Sequence, residues 1–383
     1  MNNYTFILAP DSFKGSMTAK EVCVAMEEGI RRVLPFAECI HVPMADGGEG
    51  TVQSLVDATS GQLLDKTVTG PLDVPVIARY GIMGDGKTAA IEMASASGIG
   101  YVDDSTKNPL IATTYGTGEL VMSCLDKGIK KIILGIGGSA TNDGGAGFAQ
   151  ALGARFLDEK GNELSAGGAA LAKLHAIDIS AMDPRLKDTE IEVACDVTNP
   201  LCGKDGASAV FGPQKGATPA MVEELDKALF HYAAVIKEQL GKEIKDIPGS
   251  GAAGGLGGGL LAFTNAKLER GVDIILSYTG FRETVKRGNL VLTGEGGIDF
   301  QTKFGKTPYG VVQAAKREGK PVVAIAGYIG EGIEQLYDCG FDAIFGILPS
   351  AMPLAKALET GKENIARTVE NIIRLWLRKE SSR

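Results

Sequence analysis

Histidine is scarce in this chain, with three in 383 residues, His41, His175 and His231. They lie far apart and accompany no cysteine cluster, so the sequence offers no His/Cys metal centre. The six cysteines, Cys23, Cys39, Cys124, Cys195, Cys202 and Cys339, show no C-x-x-C spacing. They read as reduced thiols of a cytoplasmic protein rather than as a disulfide framework. No apolar run approaches the ~20 residues of a membrane span. The opening MNNYTFILAPDS has no basic segment and only a short apolar run, which argues against a secretory signal. Runs of one charge are missing too. The 39 Lys and Arg against 47 Asp and Glu give a net charge of −8, and the signs are well mixed. That excludes a basic nucleic-acid face and a polybasic membrane segment. An anionic substrate must therefore be met by a few lysines or by helix N-termini.

Glycine is plentiful, at 52 residues, about twice the usual share. The glycines are clustered, which suggests loops whose backbone approaches a ligand closely. With 383 residues, two domains are expected. The segment 4–10 reads as a buried strand. Thr18 and Glu21 form a capping box ahead of Val22, Ala25, Met26, Ile30 and Val33 at helical spacing. A strand at 39–44 and a helix reaching Thr59 follow, a β-α-β-α opening of a doubly wound parallel sheet. The C-terminal part repeats this rhythm: strand 289–296, helix 308–317, strand 321–327, a short helix, strand 342–348 and a helix over 362–378. Between them, 63–93 reads as antiparallel hairpins, 130–137 and 190–196 as strands, and 219–240 as a helix capped by Thr218. The expected fold class is α/β, with one domain from both chain ends (1–68 and 287–383), a second α/β domain inserted (69–286), and the active site in the cleft between them.

Two glycine patterns mislead. Gly81, Gly86, Lys87 and Thr88 match G-x-x-x-x-G-K-[ST], yet Asp85-Gly86 between two apolar runs signals a hairpin. Lys87 is then a solvated turn residue. Gly249, Gly251 and Gly254 match G-x-G-x-x-G, but no good strand precedes them, and the stretch ending in Asp273 reads as helix. A nicotinamide-linked oxidoreductase therefore ranks low, with the glycines left for close backbone packing.

The better phosphate site is GIGGSATNDGGAG, 135–147, which lies between a strand and a helix. Gly137, Gly138, Ser139, Thr141, Asn142, Asp143 and Gly144 are its candidate binding residues, through backbone N–H groups, side chains and the helix start. Four other polar clusters follow strands, at the edge where open α/β sheets bind ligands. They are Asp11, Ser12 and Lys14; Asp46 and Glu49; Asp196 and Asn199; and Glu295, Asp299, Gln301 and Lys306. Carboxylates at strand ends suit a Mg²⁺-dependent phosphoryl transferase, with lysine offsetting charge on the transferred oxygens.

APDSFKGSMTA, ADGGEGT, GDGKTAAIEMA, TTYGTGEL, GIGGSATNDGGAG, ACDVTNPL, FGPQKGA and GAAGGLGGGL occur in this order. In these stretches the chain resembles the glycerate kinase type 1 family over essentially its whole length. The resemblance implies a flavodoxin-like domain from the chain ends with an inserted α/β domain. It implies ATP-dependent phosphorylation of D-glycerate to 2-phosphoglycerate with Mg²⁺. Asp196 is the expected base or Mg²⁺ ligand, with Asp46, also a metal candidate, and Asp299 as competitors. Lys14 is expected to steady the glycerate carboxylate or the transferred phosphoryl group. Relatives usually carry a basic residue where Gly297 stands, which leaves Lys303 or Lys306 to replace it. A kinase of another small hydroxy acid, or formation of 3-phosphoglycerate, are the alternatives; a non-catalytic nucleotide-binding module ranks last. The partners expected are D-glycerate and ATP, with no nucleic acid and no membrane; monomer or homodimer is left open.

Overall fold

The computed structural model describes residues 4–380, so the ends 1–3 and 381–383 of the expected domains lie outside the described residues. The chain divides into two compact units, one of Met1–Asp46, Gln53–Thr59 and Val272–Arg383, the other of Gly47–Val52 and Ser60–Gly271.

The first unit is built on a five-stranded parallel sheet. From one edge its strands are Ala343–Gly346, Val322–Ile329, Leu290–Ile298, Thr5–Leu8 and Glu38–His41. Counted within this sheet the order is 2-1-3-4-5, the flavodoxin-like order. The strands Thr5–Leu8 and Leu290–Ile298 are neighbours although the inserted unit separates them in sequence. Their pairing is the topological switch point, and in open α/β sheets ligands bind beyond the carboxyl ends of the strands there. The apolar spacing read from the sequence makes the helix Ala19–Arg31, started by reciprocal bonds between Thr18 and Glu21. Its buried Val22, Met26 and Ile30 share one core with Phe6, Leu8 and Leu292 of the sheet and Ile365, Val369 and Ile373 of the last helix, Gly361–Glu380.

The second unit carries a six-stranded mixed sheet. Lys267–Glu269, Glu190–Ala194, Lys131–Gly135 and Thr88–Glu92 run parallel, and Pro75–Ile82 and Gln62–Thr69 complete it antiparallel. A small hairpin, Arg155–Leu157 with Ala176–Asp178, stands apart. The strand Lys267–Glu269 corrects the reading of the stretch before Asp273 as helix: the helix begins at Gly271. Three residues at a sheet edge are too few to carry a period-2 signal, and the neighbouring helix dominates the local pattern. Among the described residues no helix is long and apolar enough to cross a membrane. All six cysteines are free.

Both misleading patterns resolve as structure. Strand Pro75–Ile82 turns back antiparallel onto Thr88–Glu92, and Asp85 Oδ1 accepts the N–H groups of Lys87 and Thr88 at the tip. An anion-binding loop needs those donors free; here a carboxylate already holds them. The second pattern opens the helix Ala252–Phe263, whose Ala253, Gly254 and Gly255 are left-handed. A Cβ at Gly254 would collide with the Thr141 carbonyl, so glycine here permits the close packing of two backbones.

Candidate active site

In the first unit the chain leaves the strand Thr5–Leu8 and reaches Asp11 three residues later. Asp11 is 7% exposed. Its Oδ1 accepts the Ser12 N–H at 2.6 Å, and its Oδ2 accepts the Thr307 hydroxyl at 2.6 Å. Thr307 begins the helix Thr307–Arg317. Burial pushes the Asp11 carboxyl up to about 6, and the Asp46 carboxylate adds to this. The bonds from Thr307 and Ser12 and the charge of Lys14 oppose it. Lys14 itself is exposed.

Glu295 lies in the neighbouring strand, on the other side of the switch point. Its Oε1 accepts the Thr302 hydroxyl at 3.2 Å and stands 3.6 Å from Lys306 Nζ. Burial lifts its carboxyl to about 7; Lys306 pulls it back, Asp11 raises it, Thr302 lowers it and Asp46 raises it. Two carboxyl groups raised toward neutral pH, Asp11 after one strand with the charge of Lys14 nearby and Glu295 in the next with Lys306 beside it, are suited to receiving or giving a proton at physiological pH. Asp299 has a different local task. Its Oδ1 accepts the Gln301 N–H and starts the turn Phe300–Phe304, 4.0 Å from Lys306 Nζ. Gln301 is exposed.

In the second unit the loop after Lys131–Gly135 has an exposed crown and a buried base. Gly137 and Gly138 are exposed and Ser139 is 9% exposed. The crown is pinned on both flanks, by Ile99 N–H to Gly138 O and Ala140 N–H to Ser97 O. Thr141, Asn142, Asp143 and Gly144 are buried. Asp143 accepts from the Thr114 N–H and hydroxyl, both at 2.8 Å, and from the N–H groups of Gly145 and Gly147. The donors at the starts of the helices Tyr115–Asp126 and Ala146–Ala151 are thus met by Asp143 itself. The sequence reading had offered the second helix start to a ligand; its N–H groups are engaged instead, because a buried carboxylate is the nearer acceptor. Glu92 acts the same way on the segment Gly47–Val52, where Oε1 accepts the Val52 N–H at 2.8 Å.

Asp196 follows the strand Glu190–Ala194, is exposed, and accepts the Gly271 N–H on Oδ1 at 3.0 Å. Asn199 donates to Asp205 O and its own carbonyl accepts the Gly251 N–H. In this unit Asp196 and Asn199 are therefore tied to neighbouring loops, as Asp46 in the first unit is tied electrostatically to Asp11 and Glu295.

The sequence profile of the glycerate kinase family matches residues 6–377. The chain belongs to the glycerate kinase family. A glycerate kinase of Halalkalibacterium halodurans is 54% identical over 96% of this chain and 97% of its own length. The glycerate 2-kinase of Escherichia coli strain K12 is 51% identical over 96% of each chain. A crystal structure of a Salmonella typhimurium LT2 protein, provisionally assigned as glycerate kinase 2, superimposes with a TM-score of 0.92 at 48% identity over 99% of this chain and 100% of that one. Membership makes this glycerate kinase family protein a phosphotransferase with an alcohol group as acceptor.

For a glycerate kinase without a basic residue at Gly297, the two candidate replacements part company. Lys306 Nζ donates to the Gly297 carbonyl at 3.4 Å, beside Glu295. Lys303 turns to the Gln335 side chain at 2.6 Å and over the Phe304 ring. Thr307, Thr302, Thr114, Glu92 and Lys215 went unnamed in the sequence reading. Thr307 had a signal, since Lys-Thr-Pro at a helix start presents a hydroxyl next to a fixed turn. Thr302 had one too, standing three residues after the turn-starting Asp299; Thr114, Glu92 and Lys215 had none, because their partners lie far away in sequence.

Proposed function

We propose that this protein transfers the γ-phosphoryl group of ATP to the C2 hydroxyl of D-glycerate, giving 2-phosphoglycerate and ADP. The C2 oxygen attacks the γ-phosphorus, the bond from that phosphorus to the β–γ bridging oxygen breaks, and the hydroxyl proton passes to a carboxylate. The observation that carries this reading is that Asp11 and Glu295, on the two strands of the switch point, are both raised toward neutral pH by burial, with Lys306 beside Glu295. A base that titrates near the working pH is both available and strong enough to accept the proton. Glu295 is the preferred acceptor, with Asp11 and Asp196 as competitors. Lys14 and Lys306 steady the glycerate carboxylate or the transferred phosphoryl oxygens, and Asp299 with Gln301 shapes the turn that carries Lys306. The crown Gly137–Ser139 meets nucleotide phosphates through backbone N–H groups and the Ser139 hydroxyl, while Thr141, Asn142, Asp143 and Gly144 form its base.

Among the described residues no group of three or more His, Cys, Asp or Glu side chains could hold a metal. Mg²⁺ arriving with ATP needs only one or two carboxylates besides phosphate oxygens and waters. Asp46 in the first unit and Asp196 in the second are each a hard oxygen donor that would suit it, and a dication at Asp46 would offset the charge that Asp46 imposes on Asp11. At either carboxylate Mg²⁺ would supply charge neutralisation on the phosphate oxygens.

Phosphorus NMR of the protein with ATP, Mg²⁺ and D-glycerate tests the reading. A new phosphomonoester doublet is expected, because C2 carries one proton. A triplet would put the phosphate on C3, and no new signal from folded protein would overturn glycerate as the substrate.

A further inference from the structure

The stretch FGPQKGA contains a lysine that none of the chemistry above uses. Lys215 is 1% exposed, an unusual place for a lysine, which rarely loses water without a specific partner. The short turn Pro213–Lys215 aims it inward, closed by Lys215 N–H to Gly212 O and Gly216 N–H to Pro213 O. Gly216 is left-handed, at φ 92°, and its face packs on Lys107. The Lys215 ammonium donates to the Thr141 carbonyl at 2.6 Å. Burial pushes the ammonium down to about 7, against the nearby Asp143 carboxylate.

The Thr141 carbonyl is boxed in. Gly254 lies so close that a single methyl there would strike it, and Gly144 N–H donates to Gly254 O at 3.0 Å. The next residue, Asn142, donates to Ser208 Oγ at 2.9 Å from the segment that also carries Lys215. Asp143 follows with its four bonds. The base of the loop is thus gripped by segments around Thr114, Ser208, Lys215 and Gly254, and the crown Gly137–Ser139 is two residues away. A buried carbonyl without a donor is costly, and a charged donor is the strongest available.

We propose that Lys215 is a positioning residue: as a tethered hydrogen-bond donor on the Thr141 carbonyl, it sets the conformation of the Gly137–Asn142 loop before nucleotide arrives. The consequence for catalysis rests on the reading of this loop as the phosphate site. Lys215 touches no substrate and acts through Thr141.

The test compares wild type, Lys215→Met and Lys215→Ala by steady-state kinetics in ATP and by hydrogen exchange of peptides spanning 136–145. Lys215→Met keeps the volume and removes the donor. The expected result is exchange at least about tenfold faster in that peptide, with strand 131–135 unchanged, and a rise in the KM for ATP of about tenfold or more that exceeds the fall in kcat. That size corresponds to losing one charge-assisted hydrogen bond from the loop. For Lys215→Ala, propylammonium should restore both quantities saturably, whereas propanol should not; a purely space-filling role would respond to both. Unchanged exchange in folded Lys215→Met, or rescue by propanol as well as by propylammonium, overturns the proposal. Faster exchange with an unchanged KM for ATP upholds the bracing and overturns the assignment of this loop to phosphate. If neither variant folds, the wild type decides. Amides 141–145 that exchange slowly without nucleotide are expected, and amides that slow only when ATP is added show a loop set by ligand, which overturns the proposal.

Discussion

The hydroxyl of Thr307 donates to Asp11 Oδ2 at 2.6 Å, joining residues 296 positions apart. It fastens the loop after the first strand to the start of a helix near the other end of the chain. It also favours the charged form of Asp11 against burial. Replacing Thr307 with Val removes the donor and keeps the shape. The acid limb of the kcat/KM profile should then move to higher pH, since the Asp11 carboxyl rises further above its usual value. A pH profile checks this, and an unmoved limb would take Asp11 out of the chemistry.

Glu295→Gln should lower kcat by about 10²–10⁴, the usual contribution of a positioned base. It should also make the protein more stable at pH 8. The folded-state value, about 7, is above the ordinary glutamate value of 4.5. The stabilising contribution of Glu295 is therefore complete below pH 4.5 and is lost as pH rises through 7. The neutral amide escapes that loss, so the variant should gain in Tm over wild type at pH 8 and not at pH 4. Thermal unfolding at the two pH values measures the difference.

Lys87→Ala should leave kcat and the KM for ATP near their wild-type values and change stability by less than about 0.5 kcal/mol. Lys87 sits at a hairpin tip whose N–H groups already bind Asp85. A large loss of activity in the same assay would reinstate the P-loop reading.

Gly254→Ala should be poorly tolerated. Gly254 has φ +69°, and the added methyl would collide with the Thr141 carbonyl. The backbone strain alone costs about 1–3 kcal/mol, and the collision adds to it. Denaturant unfolding should show the loss, and the peptide 136–145 should exchange faster.

Gly297→Arg should fold as well as wild type, because a Cβ there meets nothing nearer than Tyr328 Cδ1 at 3.8 Å. A second cation beside Glu295 favours its charged form, so the acid limb of the kcat/KM profile should move to lower pH. The opposite shift would show that Lys306 is displaced from Glu295.

Much of the fold was legible because its signals are local. Thr18 and Glu21 announce a helix start, Val22, Met26 and Ile30 its buried face, and Asp85-Gly86 a reversal. Each depends on residues within a turn or two of one another, and backbone geometry makes such patterns nearly unambiguous. The carboxylates after strands were legible as candidates for the same reason. Asp143 shows where this ended. Its sequence setting is that of a phosphate loop, yet its carboxylate is engaged by Thr114, Gly145 and Gly147. Lys267–Glu269 was too short to register, and nothing near Lys215 in sequence announces its burial.

The order of elements, the capped helices, the hairpin and the residue types that can perform phosphoryl transfer were determined by the sequence alone, through steric and hydrogen-bonding rules acting over a few residues. Tertiary structure decided which carboxylates meet and how strongly they hold a proton. Asp11 and Glu295 are ordinary acids until the pairing of Thr5–Leu8 with Leu290–Ile298 brings them out of water on neighbouring strands. Lys215 is an ordinary cation until folding closes the second unit around it. Desolvation and charge proximity are sums over the whole surroundings of a group, and those surroundings exist only once distant segments have packed.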